Sequence, residues 1–379
     1  MAGLYLHIPF CRQACHYCDF HFSTNQRQKS DLCKSIAREI GLQKNYLTTK
    51  TLTSVYFGGG TPSLLSAEEL TLLFEAVNEN FTLAPSAEIT LEANPDDLTK
   101  ANLTTLREAG INRLSIGIQS FNDAVLKFLN RAHDSTAALS CLTEARAVGF
   151  NNISLDLIYA IPGQTDDDWK KNIQTAIELA PEHISAYSLT IEEKTAFGNW
   201  QRKGKLSPAD ENTAASNFEL LISMLTNAGY EHYEVSNFCK PGYYSKHNTS
   251  YWKQEHYLGV GPSAHSYNGD SRQYNISNNA IYQKSIAEGK VPCEVEILSQ
   301  ENKINEFIFT TLRTHWGCDF AKLNNDLGYD ALPVHADYIN NLVKGKLASF
   351  DQRILRLSSK GMLLADKIAS DLFVELIKK

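Results

Sequence analysis

The chain has 379 residues and a net charge of −7 at pH 7, with 43 % hydrophobic and 21 % charged residues, an ordinary composition for a folded protein with more than one core. The acidic balance argues against a dedicated nucleic-acid binder, and no uncharged apolar run approaches the roughly 20 residues that span a bilayer. The opening MAGLYLHIPFC lacks a basic segment, a long apolar stretch and a small-residue cleavage site, so no secretory signal is read and the chain is expected in the cytoplasm. Peripheral membrane association would leave no mark at this level. In such a compartment the eight cysteines are expected to be reduced, and any cluster of them to bind metal or do chemistry.

Six short strands rich in Val, Ile, Leu and Tyr are predicted at Leu4–Ile8, Ser54–Phe57, Glu88–Glu92, Arg113–Ile118, Ile153–Ile158 and His183–Leu189. Helix-length segments separate them, with N-terminal caps at Ser66 (Glu69 three residues on) and at Thr165 before three aspartates. Gly110 and Gly149 stand just past helix-like runs, where a left-handed residue is favoured. Alternating strands and helices imply parallel strands with right-handed crossovers. The fold class is therefore α/β, in an open sheet or a full or partial barrel, of which a partial (β/α)6 TIM-like barrel over residues 1–205 is the form expected. Residues 206–295, in which a helix-like Pro208–Ala228 leads into Tyr230–Phe238 and then a loop-rich aromatic stretch at Cys239–Asn278, read as a barrel extension and linking region. Residues 296–379 read as helices with a short strand, Arg353–Leu357, before a last helix at Lys360–Ile377, a small winged-helix-like module.

The polar outliers fall at the strand ends. Cys11–Cys18 follow the first strand, Gly58–Pro62 the second, and Glu92–Pro95 end the third; Gln119 ends the fourth, Asp156 lies in the fifth, and Thr190 and Glu192 end the sixth. Barrel enzymes build their sites at that face, so six loops converge on one mouth. Asp156 stands between Leu155 and Leu157, and a carboxylate inside a buried strand is costly unless paired or functional.

Cys11, Cys15 and Cys18 form a compact set of soft ligands in one loop. Thiolates suit zinc or iron–sulfur clusters, and closed structural sites of either kind use four protein ligands. A zinc reading would draw the fourth ligand from His7, His16 or His21. A [4Fe–4S] cluster with three protein thiolates would leave one iron for the amine and carboxylate of an amino-acid-like chelator, which S-adenosylmethionine provides. The scattered Cys33, Cys141, Cys239, Cys293 and Cys318 read as buried small hydrophobes.

With Tyr5-x-His-Ile-Pro-Phe-Cys11 ahead of the trio, Gly58-Gly-Gly-Thr-Pro62 after it and His247-Asn-Thr-Ser-Tyr-Trp252 downstream, the chain resembles the radical SAM superfamily, and within it the oxygen-independent coproporphyrinogen III oxidase-like group. The resemblance implies that Cys11, Cys15 and Cys18 hold a [4Fe–4S] cluster. It implies that Tyr5, Tyr17, Gly59, Gly60, Thr61, Glu92, Gln119, Arg131 and Asp156 bind S-adenosylmethionine (SAM), with Tyr17 against adenine and the glycine loop offering amides and carbonyls. Two functions share this scaffold: oxidative decarboxylation of coproporphyrinogen propionates, and haem carriage in the HemW-type haem chaperone branch. Phe20 stands where the oxidase pattern has a further cysteine, only four residues precede Tyr5, and HNxxYW matches the chaperone branch. The resemblance therefore implies haem as cargo, with His247, Tyr251 and Trp252 as candidate haem-binding residues. It further implies transfer to apo-haemoproteins, membrane-associated ones included, and a homodimer.

Overall fold

In the computed structural model, which describes residues 2–375, all six expected strands form: β1 (Ala2–Ile8), β2 (Thr51–Gly59), β3 (Thr82–Ala93), β4 (Arg113–Gln119), β5 (Ile153–Tyr159) and β6 (His183–Ser188). They lie side by side in chain order and pair in parallel throughout, as βαβ connections require. The capping boxes at Ser66 and Thr165 are both present, and Gly110 and Gly149 adopt φ of 104° and 99° past their helices.

Within these strands the residues alternate in kind. Val55, Phe57, Leu91, Leu114, Ile116, Leu155 and Ile184 are fully buried and belong to the large apolar core between sheet and helices. Their neighbours Ser54, Tyr56, Glu88, Thr90, Glu92, Arg113, Ser115, Ser154, Asp156, His183 and Ser185 point to the opposite face. The register sets Glu92 beside Ser115, Ser115 beside Ser154, and Ser154 beside His183, so one polar row runs across the inside of the barrel.

The sheet continues beyond the six strands. Beside β6 stands the hairpin of β7 (Glu231–Glu234) and β8 (Asn237–Cys239). Beside β1 stands β9 (His256–Val260), parallel to it, followed by β10 (His265–Tyr267), β11 (Ser271–Asn275) and β12 (Cys293–Ile297), mutually antiparallel. All twelve strands form one mixed sheet. Glu39 fastens this extension to the first helix. Its fully buried carboxylate accepts from the Gly261 amide (2.7 Å), the Asn275 side chain (2.7 Å) and the Tyr282 hydroxyl.

The C-terminal region packs helices Gln300–Leu312, Phe320–Leu327 and Leu332–Lys344 against a small sheet of β13 (Cys318–Asp319), β14 (Ala348–Asp351) and β15 (Ile354–Leu357) in the order β13-β15-β14. Its core is continuous with that of the barrel. The last helix is shorter than expected and broken, into Ser359–Met362 and Ala365–Asp371; residues 376 and 377 of the expected span lie outside the described residues. No helix among the described residues is long and apolar enough to cross a membrane.

Candidate active site

At the C-terminal ends of β1–β6 opens a cavity of about 590 Å³. Cys11, Cys15, Cys18, Tyr17, Gly59, Gly60, Thr61, Glu92, Gln119, Arg131 and Asp156 all line it, as do Thr190 and Glu192. Residues from six separate loops and strand ends thus meet in one place.

The cysteine loop is held from two sides. The Cys11 amide donates to Ser23 O (3.1 Å) and the His16 amide to Leu129 O (3.1 Å). Asn130 reaches back through Nδ2 to Ala14 O (2.7 Å), while Gln13 Nε2 donates to Asn130 Oδ1 (2.9 Å). Asn130 itself carries φ of 58°, a left-handed conformation that Asn tolerates better than most residues. This bend delivers Arg131 to the site. One of its nitrogens, Nη2, donates to Asn94 Oδ1 (2.6 Å) and Gly117 O (2.8 Å); the other, Nη1, lies 3.3 Å from Cys15 Sγ and 3.4 Å from the Tyr17 hydroxyl. A fixed guanidinium beside the thiols offsets the negative charge that thiolate ligands bring. Gln119, at φ of 64°, is also left-handed and lines the cavity.

The residues fit an iron–sulfur cluster better than zinc. None of the three histidines that could complete a zinc site lines the cavity beside the cysteines, and His7 has both ring nitrogens engaged. His7 donates through Nε2 to His21 O (3.0 Å) and accepts from Tyr5 through Nδ1 (3.1 Å). His16 Nδ1 donates to Phe128 O (2.9 Å), and His21 Nε2 lies 2.7 Å from Asn279 Oδ1. Among the described residues no three His, Cys, Asp or Glu side chains are arranged to hold a single metal ion. The Nε atoms of Arg113 and Arg131 are buried without a hydrogen-bond acceptor among the described residues. Both arginines line the cavity; Arg113 Nε already faces Glu88 at 3.9 Å, so the orphan donor of Arg131 is the one that suits a bound carboxylate.

The glycine loop works differently from expectation. Its amides are already spent: Gly59 N donates to Glu92 Oε2 (3.1 Å), Gly60 N to Ile8 O (2.9 Å) and Thr61 N to Phe10 O (2.7 Å). What remains for a ligand is carbonyl oxygen. Glycine is required at position 60 because a Cβ there would stand 2.7 Å from both the nitrogen and the oxygen of Phe10.

Tyr5 is also displaced from its expected role. It does not line the cavity but lies one layer beneath, its ring 2.9 Å from where a Cβ on Gly58 would be. Below it comes the HNxxYW helix, Lys246–Trp252. His247 is 1 % exposed; Nδ1 lies 2.9 Å from Ser54 Oγ and Nε2 2.7 Å from the Tyr251 hydroxyl. Burial, with the Arg113 charge adding, pulls the imidazole down to about 3, so it is neutral. Both nitrogens are occupied, so in this conformation His247 is not open to an iron, contrary to the expectation for a haem ligand. Tyr251 closes over it, and the Trp252 ring packs under the Arg313 guanidinium at 5.6 Å. His247 instead stacks on Tyr56 (4.8 Å, 23°), whose hydroxyl donates to Glu92 Oε1 (2.8 Å). The helix therefore closes the barrel floor and supports a cavity residue.

Sequence reasoning missed Tyr56, Arg113, Ser115, Ser185 and Asn248, all of which line the cavity. Arg113 is the cation of the floor, 1 % exposed and 3.9 Å through Nε from Glu88 Oε2. The signal that points to them is the alternation of polar and apolar residues within strands whose Val, Ile, Leu and Tyr content reads as simply apolar. Burial raises the Asp156 carboxyl, while bonds from Ser185, Ser115 and Ser154 and the Arg113 charge pull it back. Glu92 is pushed up to about 7 by burial and by Asp156, against the Tyr56 and Gly59 donors.

Comparison with known proteins agrees with this geometry. The radical SAM superfamily profile matches residues 5–176, and the HemN C-terminal domain profile matches residues 298–364. The chain is 36 % identical to the haem chaperone HemW of Lactococcus lactis, over 96 % of this chain and 95 % of that one. It is likewise 36 % identical to HemW of Mycobacterium tuberculosis, over 98 % and 94 %. Among solved structures, coproporphyrinogen III oxidase HemN of Escherichia coli, a radical SAM enzyme, superposes with a TM-score of 0.83 at 25 % identity, covering 99 % of this chain and 90 % of that one. With relatives matched over nearly their whole length and a thiol-lined cavity at the barrel mouth, this chain belongs to the radical SAM superfamily and, within it, to the HemW haem chaperone family.

Proposed function

We propose that this chain binds haem and hands it to acceptor haemoproteins, on a scaffold in which Cys11, Cys15 and Cys18 hold a [4Fe–4S] cluster and the cavity holds SAM. The observation that carries the choice between the two functions of the scaffold is Phe20. It lies on the cavity rim two residues after Cys18, is 72 % exposed, and puts an apolar ring where the oxidase pattern has a thiol. The proposal extends to membrane-associated acceptors, to a homodimer and to a cytoplasmic location.

When bound, the cluster and SAM supply one-electron chemistry; the residues of the chain bind, orient and screen. Arg131 and the serine-buffered Asp156 set the charge balance, Tyr17 offers a flat face for adenine, and the loop carbonyls of Gly59 and Gly60 accept from an amine.

Glu92 gives the site a pH dependence. A carboxyl raised to about 7 is ionised mainly above that pH, so a SAM donor bound to its carboxylate is held better as pH rises. SAM affinity is expected to fall about tenfold per unit below pH 7, and Glu92→Gln to flatten the profile. Isothermal titration calorimetry of the cluster-loaded chain at several pH values measures this. A flat profile in the parent would remove Glu92 from SAM binding.

A second reading, coproporphyrinogen oxidation, is favoured by the near-complete superposition on HemN. Anaerobic incubation of the reconstituted chain with SAM, reductant and coproporphyrinogen III separates the two. The chaperone reading expects no protoporphyrinogen beyond a no-protein control, and conversion would overturn it.

A further inference from the structure

The two edges of the twelve-stranded sheet are treated differently. At one end, β7 is covered by the chain itself: the His315 amide donates to Tyr233 O (2.9 Å), the Val235 amide donates to Arg313 O (3.1 Å), and Glu234 bridges to Thr314. Tyr233 and Glu234 are accordingly buried. At the other end, β12 pairs with β11 on one side and ends the sheet. Its residues Glu294, Val295, Glu296 and Ile297 are all exposed. Val295 is 56 % and Ile297 75 % exposed, the latter the highest value for a large apolar side chain among the described residues.

The pattern along β12 is ordered. Register pairs Glu294 with Tyr274 and Glu296 with Arg272, which places both carboxylates on one face. That face is net acidic, because Arg272 is already bound to Glu306 at 2.7 Å and Glu294 accepts from the Tyr274 hydroxyl at 2.8 Å. Val295 and Ile297 lie on the other face, opposite Gln273 and Ser271. An edge strand also turns alternate N–H and C=O groups outward, and these groups template another strand.

We propose that β12 accepts, by strand addition, an extended segment of a partner protein whose residues alternate between basic and apolar. Outward amides and carbonyls supply the hydrogen bonds, Val295 and Ile297 the apolar contacts, and Glu294 and Glu296 the selection for lysine or arginine. A second copy of this chain fits poorly. Every antiparallel register that overlaps three or more residues of two β12 strands and keeps the apolar faces together sets glutamate opposite glutamate, and like charges directly opposed are destabilising. The glutamates thus guard the edge against self-pairing while leaving it open to a basic strand.

The test uses the full chain and blocked seven-residue peptides. A peptide alternating lysine and valine should bind and slow amide hydrogen exchange in residues 293–297. Peptides alternating glutamate with valine, or lysine with glycine, should bind at least about tenfold more weakly. The double variant Glu294→Lys/Glu296→Lys, altered only at exposed positions, should reverse the preference between the lysine and glutamate peptides. Equal binding of all three peptides, protection elsewhere than β12, or concentration-dependent protection of β12 without peptide would each overturn the proposal.

Discussion

Cys15→Ser is expected to reduce the iron content of the anaerobically reconstituted chain to background and to remove its broad visible absorbance. Cys15 lies in the middle of the trio, its thiol 3.3 Å from the Arg131 guanidinium. Serine keeps the shape but is a hard, weakly acidic ligand, ill matched to a cluster that needs thiolates. Cys293→Ser, at a half-buried cysteine on β12, should leave iron and colour unchanged. Metal analysis and the absorption spectrum read both results. Retention of colour in Cys15→Ser, or zinc in place of iron in the parent, would refute the ligand set.

Arg113→Leu is expected to give the largest loss of stability, about 3–5 kcal/mol and a fall in Tm of roughly 5–15 °C. The guanidinium is buried and faces carboxylates of β3 and β5. Removing it leaves Glu88 and Asp156 without their shared countercharge in a place water does not reach freely. The effect spreads to the barrel floor, because Glu88 Oε1 accepts from the Lys246 amide at 2.9 Å and so caps the HNxxYW helix. Thermal unfolding measures the loss, and Arg113→Lys should recover part of it. A Tm within about 2 °C of the parent would mean that the floor is hydrated and the charge balance unimportant.

How much of this was legible beforehand follows from the range of each interaction. The six strands, the two capping boxes and the left-handed glycines depend on residues near one another in sequence, and they were readable. So was the convergence of polar residues on the mouth, because parallel strands leave their C-terminal ends together. The roles of Tyr5, the glycine amides and His247 were not. The bond between His247 and Ser54 joins residues 193 positions apart, and nothing in the motif reveals that β2 holds a serine ready for it. The HNxxYW motif names an imidazole and two flat rings, a set equally suited to gripping a porphyrin and to closing a barrel. Arg113 escaped notice because a single cation opening an apolar strand looks like a surface charge until the register places it opposite Thr90 and across from Glu88.

Above all, this scaffold is proposed to carry haem. Anaerobic titration of the cluster-loaded chain with haem, followed at the Soret band, tests it most directly. A saturable spectral change with a defined stoichiometry is expected and, because His247 is sealed beneath the cavity, a closely similar curve for His247→Ala once that variant is shown to fold. A signal that rises in proportion to added haem without saturating would contradict it.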